Sequence, residues 1–124
     1  SASAEFKKFI EVTSGFWTQQ KWKDKLAAAF TNSGSQSGDK LNTLVQLAVF
    51  AAQHGMIWVS LGLLPGNNSS TGSVNDINRL GGWMGAMAQS NVDQGPDVAP
   101  PANDLETASL LGKRVAEIAL RFTK

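Results

Sequence analysis

The sequence predicts an α/β fold built on parallel strands. The short apolar run Leu26-Ala27-Ala28-Ala29-Phe30 ends abruptly in small polar residues, and an amphipathic helical stretch follows it. A second run, Met56-Ile57-Trp58-Val59-Ser60-Leu61-Gly62, is apolar on both faces, which is how a central parallel strand reads. Strand, helix and strand in that order form a right-handed crossover unit.

Each element has its own signal. Ser3 is a candidate N-cap with Glu5 in the first turn, and Phe6, Phe9, Ile10 and Thr13 recur at helical spacing. A first helix is therefore expected over about residues 3–14, stopped by Gly15. Residues 16–25 read as a polar connection carrying Trp17 and Trp22. Periodicity alone does not separate strand from helix at Leu26–Phe30; the switch to Thr31-Asn32-Ser33-Gly34-Ser35-Gln36-Ser37-Gly38 favours a strand ending in a loop. Asp39 is placed to cap the next helix. Its apolar face is Leu41, Leu44, Val45, Ala48 and Ala51-Ala52, and Gly55 stops it.

Residues 63–103 are rich in Gly, Asn, Ser and Pro and read as a long loop excursion, a length that is unusual unless functional. Within it, Gly81-Gly82-Trp83-Met84-Gly85-Ala86-Met87 mixes glycine with large apolar groups, as a segment covering the domain would. Asn103 and Glu106 resemble a capping box for a closing amphipathic helix carrying Leu105, Ala108, Leu111, Val115, Ala119 and Phe122. The whole of 1–124 reads as part of one domain. Two strands do not make a stable parallel sheet, so further strands are expected to complete it.

Composition narrows the function. The 124 residues carry a formal net charge of +1, with no basic stripe, which argues against a nucleic-acid binder. Lys7, Lys8, Lys21, Lys23 and Lys25 read as a solvated surface. There is no cysteine, so disulfides, thiolate metal sites and thiol nucleophiles are excluded. That composition is compatible with a reducing cytoplasm, the expected location. No apolar run reaches the roughly 18 residues of a membrane span. The sequons around Asn67-Asn68-Ser69-Ser70 read as turn residues.

In open α/β sheets, ligands sit outside the carboxyl ends of the strands. The Thr31–Asp39 loop leaves one such end and opens onto a helix N-terminus. Composition alone serves a cofactor loop and an ordinary strand-to-helix turn equally well. Gly34-Ser35-Gln36-Ser37-Gly38 has Gln36 where a nucleophile elbow needs serine, and no P-loop or GxGxxG occurs. His54, the sole histidine, suits either a helix C-terminus or a pocket, and has no companions spaced for a metal site. Trp17 is read as core packing or as a ligand-lining aromatic.

Phe16-Trp17, then residues 26–38, then Gln53-His54-Gly55-Met56 together resemble the flavodoxin-like NADPH-dependent FMN reductases. The likeness is strongest to the tryptophan-repressor-binding-protein-like NAD(P)H:quinone oxidoreductases. It covers residues 1–62 well, and the closing helix fits by position. It implies a flavodoxin-like doubly wound parallel sheet in order 2-1-3-4-5, of which this chain would supply the fourth and fifth strands. It implies FMN as cofactor, NAD(P)H as co-substrate and a quinone-type small molecule as acceptor. Thr31, Asn32, Ser33, Gly34, Ser35, Gln36 and Gly38 are the implied cofactor-binding positions, and His54 and Trp17 the implied catalytic-pocket residues. The phosphate-binding loop and first three strands would lie before Ser1, so the expected partner is that missing N-terminal half or a second copy of the chain. A carrier flavodoxin and a flavin-less interaction module are the alternatives.

Overall fold

The computed structural model describes residues 1–123. Ser3 caps the first helix, α1 (Ala4–Val12), its hydroxyl accepting from Phe6 N at 3.2 Å. Gly15 does not stop the helical segment; it lies inside a second short helix, α2 (Ser14–Thr18), entered directly from Thr13. Glycine opposes helix only weakly, and here the backbone bond from Trp17 N to Thr13 O carries the turn through it.

The first predicted strand is real but broken. It forms β1 (Leu26–Ala27) and, past Ala28 and Ala29, β2 (Phe30–Ser33), so Thr31, Asn32 and Ser33 belong to a strand rather than to the loop. The helix α3 (Lys40–Gln53) follows. Gly55, at φ +70°, ends it as expected. Its buried face is Lys40, Thr43, Leu44 and Ala51, whereas Leu41 and Val45, assigned to the core from their apolarity, are exposed.

The second predicted strand is regular only at β3 (Ile57–Trp58), which pairs in parallel with β1. The chain then leaves the ladder and returns as β4 (Ala86–Gln89), which pairs in parallel with β2 in the register Phe30↔Ala86 to Ser33↔Gln89. The excursion at 63–103 is therefore not simply a loop, because it carries a strand. One side of β1–β2 is thus matched first by residues 57–58 and then by 86–89. Among the described residues the other side of β1 and β2 pairs with no strand.

The last helix, α4 (Ala102–Phe122), begins at Pro101 with no side-chain cap. Asn103 does not form the expected capping box, because its amide donates to the carbonyls of Val74 (3.0 Å) and Asp76 (2.9 Å). Leu61, Ala86 and Leu111 form the buried core beneath α4, with Leu63, Ala108 and Val115 packed on it. Asn78 is the buried fastening of the excursion. Its backbone N donates to Thr107 Oγ1, its Nδ2 to Gly82 O, and its Oδ1 accepts from Gly82 N. A buried polar side chain is tolerated because each of these groups has a partner.

Candidate functional site

Parallel pairing puts the carboxyl ends of β2 and β4 on the same edge. There the loop Gly34–Asp39 enters α3, beside Ser90 and Asn91. The carbonyls of Ser33, Gly34, Ser35 and Gln36 all accept hydrogen bonds. Ser90 N donates to Ser33 O at 3.1 Å, and Gln89 Nε2 to Gly34 O at 2.9 Å. Ser33 Oγ donates to Ser35 O at 2.8 Å. Lys40 Nζ donates to Ser35 O at 2.5 Å and to Gln36 O at 2.8 Å.

The backbone N–H groups of Ser35, Gln36, Ser37 and Gly38 donate to nothing among the described residues. On this exposed loop, carbonyls engaged by the protein and N–H groups left without a protein acceptor make an acceptor-seeking segment next to the positive end of α3. Gly38 is required for this shape: its φ is +52°, and a Cβ there would stand 2.6 Å from Ser33 Oγ, the hydroxyl that braces the turn.

Three ionisable side chains lie beneath the loop. Arg79 pairs bidentately with Asp104, Nε and Nη2 each donating at 2.8 Å. Asp104 Oδ2 also accepts from Gln89 N at 2.9 Å, anchoring the end of β4. The side-chain hydrogen bond to Asp104 raises the Arg79 guanidinium above its ordinary value, against the effect of burial. Burial lowers the Lys40 ammonium below its ordinary value; the charge of Asp104 opposes this and that of Arg79 adds to it. Sequence reasoning missed all three. No local pattern singled them out, because Arg79 and Asp104 meet across 25 residues of chain.

His54 and Trp17 do not join the loop. His54 closes the far end of α3, about 20 Å away for a 14-residue helix. It is 2% exposed, with its ring against Trp22 (4.7 Å between centroids) and Phe50 (4.8 Å). Thr13 Oγ1 donates to Ile10 O at 2.7 Å, so it accepts from His54 Nε2 at 3.1 Å. That fixes the Nε2–H tautomer and leaves the buried Nδ1 without a partner. Trp17 meets His54 instead at a shallow cavity of about 260 Å³, shared with Ile10, Thr13, Phe50 and Gln53. The structure therefore brings Gly34, Ser35, Gln36 and Gly38 together at the end of β2, with Thr31, Asn32 and Ser33 in the strand leading to them. It sets His54 and Trp17 at the opposite end of the fold. No group of three or more His, Cys, Asp or Glu residues capable of holding a metal occurs among the described residues. No helix among them is long and apolar enough to cross a membrane.

No protein-family model matches the chain. The chain is 47% identical over 114 residues to a protein named flavodoxin FldP from Pseudomonas aeruginosa, covering 92% of this chain and 61% of that one. It is 32% identical over 117 residues to an NAD(P)H dehydrogenase (quinone) from Archaeoglobus fulgidus, covering 94% and 52%. Among solved structures, the flavodoxin, WrbA-like protein from Agrobacterium tumefaciens superposes with a TM-score of 0.69 at 40% identity. That match covers 96% of this chain and 58% of the other. The chain thus spans between 52% and 61% of the length of these relatives.

Proposed function

From the premise that this chain belongs to the WrbA-like, flavodoxin-like family, we propose that it forms the ring-binding part of an FMN-dependent oxidoreductase. That enzyme would transfer a hydride from NAD(P)H through FMN to a quinone or similar acceptor. The observation that carries the reading is the exposed run of N–H groups at Ser35–Gly38 with no acceptor among the described residues, on the strand edge where open α/β sheets take ligands. The acceptor-rich edge of an isoalloxazine matches that donor set. The flavin supplies the two-electron chemistry, and the protein supplies position and electrostatics.

On this reading Ser35, Gln36, Ser37 and Gly38 hold the ring edge with backbone donors. Ser33, Gln89 and Lys40 keep those donors pointed outward by engaging the loop carbonyls. Fixed donors of this kind favour negative charge that develops beside them. His54 and Trp17 take no part at this loop within one chain.

A second reading has its own support. The relative at 47% identity is named a flavodoxin, whereas the one named a quinone dehydrogenase stands at 32%. A non-enzymatic electron carrier therefore remains the alternative. The test is purification of the natural polypeptide that carries this sequence, followed by its visible spectrum and its oxidation of NADPH with a benzoquinone. One FMN per chain and quinone-dependent NADPH consumption are expected. A protein that retains FMN and exchanges electrons with a ferredoxin-type partner but ignores NAD(P)H is the carrier. A polypeptide that takes up no flavin ends both readings.

A further inference from the structure

Lys40 occupies an unfavourable place. It is the first residue of α3, where the helix dipole presents its positive end, and it is 2% exposed. Its apolar neighbour Leu41 is 56% exposed. Packing alone would favour the reverse, because a lysine is almost never fully buried without an ionic partner. Lys40 has none among the described residues, since its ammonium donates to the neutral carbonyls of Ser35 and Gln36. Asp104, the acid whose charge reaches it, is held bidentately by Arg79 and also accepts from Gln89 N. Asp39, the residue before Lys40, has a side chain 58% exposed to solvent and is not among the groups whose charge shifts Lys40. Two cations and one anion beneath the loop therefore leave one positive charge uncompensated.

Such an arrangement costs native stability, and features that cost stability concentrate at functional sites. Resting on the flavin reading above, we propose that Lys40 is a positioning residue for the cofactor. It draws the Ser35 and Gln36 carbonyls inward so that the loop N–H groups face the ring, and its charge favours the negative charge that reduction places on the flavin. It acts through the loop and through its field; it does not touch the reacting atoms.

The experiment compares the natural polypeptide with its Lys40→Met and Lys40→Gln variants, each loaded with FMN. Both substitutions remove the charge, and Gln keeps an amide donor. The readouts are the flavin midpoint potential and the protection from hydrogen exchange that FMN confers on the Ser35–Gly38 amides. Lys40→Met should lower the preference for reduced over oxidised FMN about tenfold, a shift of about 30 mV for a two-electron couple, and should lose much of the loop protection. Lys40→Gln should show the same potential shift with more of the protection retained. If the parent holds FMN and both variants keep its potential and its protection, the role of Lys40 is overturned while the flavin reading stands. If the parent holds no FMN, the flavin reading falls and this inference with it. Should neither variant fold, the parent alone decides. Its potential should fall with pH more steeply than that of free FMN as Lys40 loses its proton below the ordinary value of 10.5. A slope equal to that of free FMN throughout overturns the role. The groups facing Lys40 in that titration are Asp104 and Arg79.

Discussion

Asp104→Ala should be the most damaging single substitution beneath the loop. The Arg79 and Asp104 side chains are 9% and 2% exposed, and two 2.8 Å bonds join them. Truncating the acid leaves a buried guanidinium without its counter-charge, which costs about 3–5 kcal/mol in comparable cases. It also strands Gln89 N, whose acceptor is Asp104 Oδ2, adding about 1–3 kcal/mol if that donor stays dry. Arg79 borders a cavity of about 210 Å³ that Asn75, Gln89, Asn91 and Gln94 also line. Water entering there would relieve part of both costs. The expected net loss is therefore about 3–4 kcal/mol, a third or more of a typical domain's stability. Urea unfolding of the natural polypeptide measures it, beside Arg79→Met and the double variant Arg79→Met/Asp104→Leu. The double variant should be much less damaged than Asp104→Ala, because replacing both charges leaves nothing unpaired. A loss below about 1 kcal/mol, or a double variant as unstable as the single one, would refute the reasoning.

Thr13→Val removes the acceptor for the His54 ring and should cost about 1–3 kcal/mol. Nitrogen NMR of the parent should show the proton on Nε2, and a ring protonated on Nδ1 would contradict the geometry. The depressed Lys40 also makes stability depend on pH. The folded state holds fewer protons than the unfolded chain between the lowered value and 10.5, so stability rises with pH across that interval and is lower at every pH beneath it. Unfolding measured from about pH 8 upward should show this rise in the parent and not in Lys40→Met; equal slopes would discount the burial. Finally, Phe30 is 73% exposed beside the unpaired side of β1 and β2, and Leu41, Val45 and Val49 form a second exposed apolar row. The 124-residue chain on its own should sediment at micromolar concentration as a self-associated species. A lone, cooperatively folding monomer would show that this edge needs no cover.

The parts of the fold that were legible in the sequence are those set by local chemistry. Ser3, the burial of Leu44 and Ala51 in α3, the left-handed Gly55 and the long α4 each follow from a cap, a period or a backbone constraint that acts over a few residues. What stayed hidden depends on contacts from afar. Residues 86–89, Ala-Met-Ala-Gln, lack β-branched side chains and sit among glycines. Nothing local marks them as β4, which exists because β2 offers them a parallel partner. Asn103 does not act as the expected cap for a related reason: its side chain is spent on carbonyls of a segment 27 and 29 residues away, a demand that no sequence window displays. The loop expected from Thr31 begins in the structure only at Gly34, since Thr31–Ser33 are held in the ladder by β4. His54 and Trp17 lie near one another and far from the loop, a separation that follows from the length of α3.

The divided partner of β1 and β2 has a consequence for how the molecule assembles. β1 meets β3 across one helix, whereas β2 must wait for β4, which arrives from almost twice as far along the chain. Closing the longer loop costs more entropy, and contacts of greater sequence separation form more slowly. The β1–α3–β3 unit should therefore be in place before β4 docks. Gln89 and Ser90, which fasten the carbonyls of Gly34 and Ser33, come in with that late strand. The ligand loop acquires its shape only at the last step, and in the finished protein it should open and close together with β4, as one cooperative unit in native-state exchange.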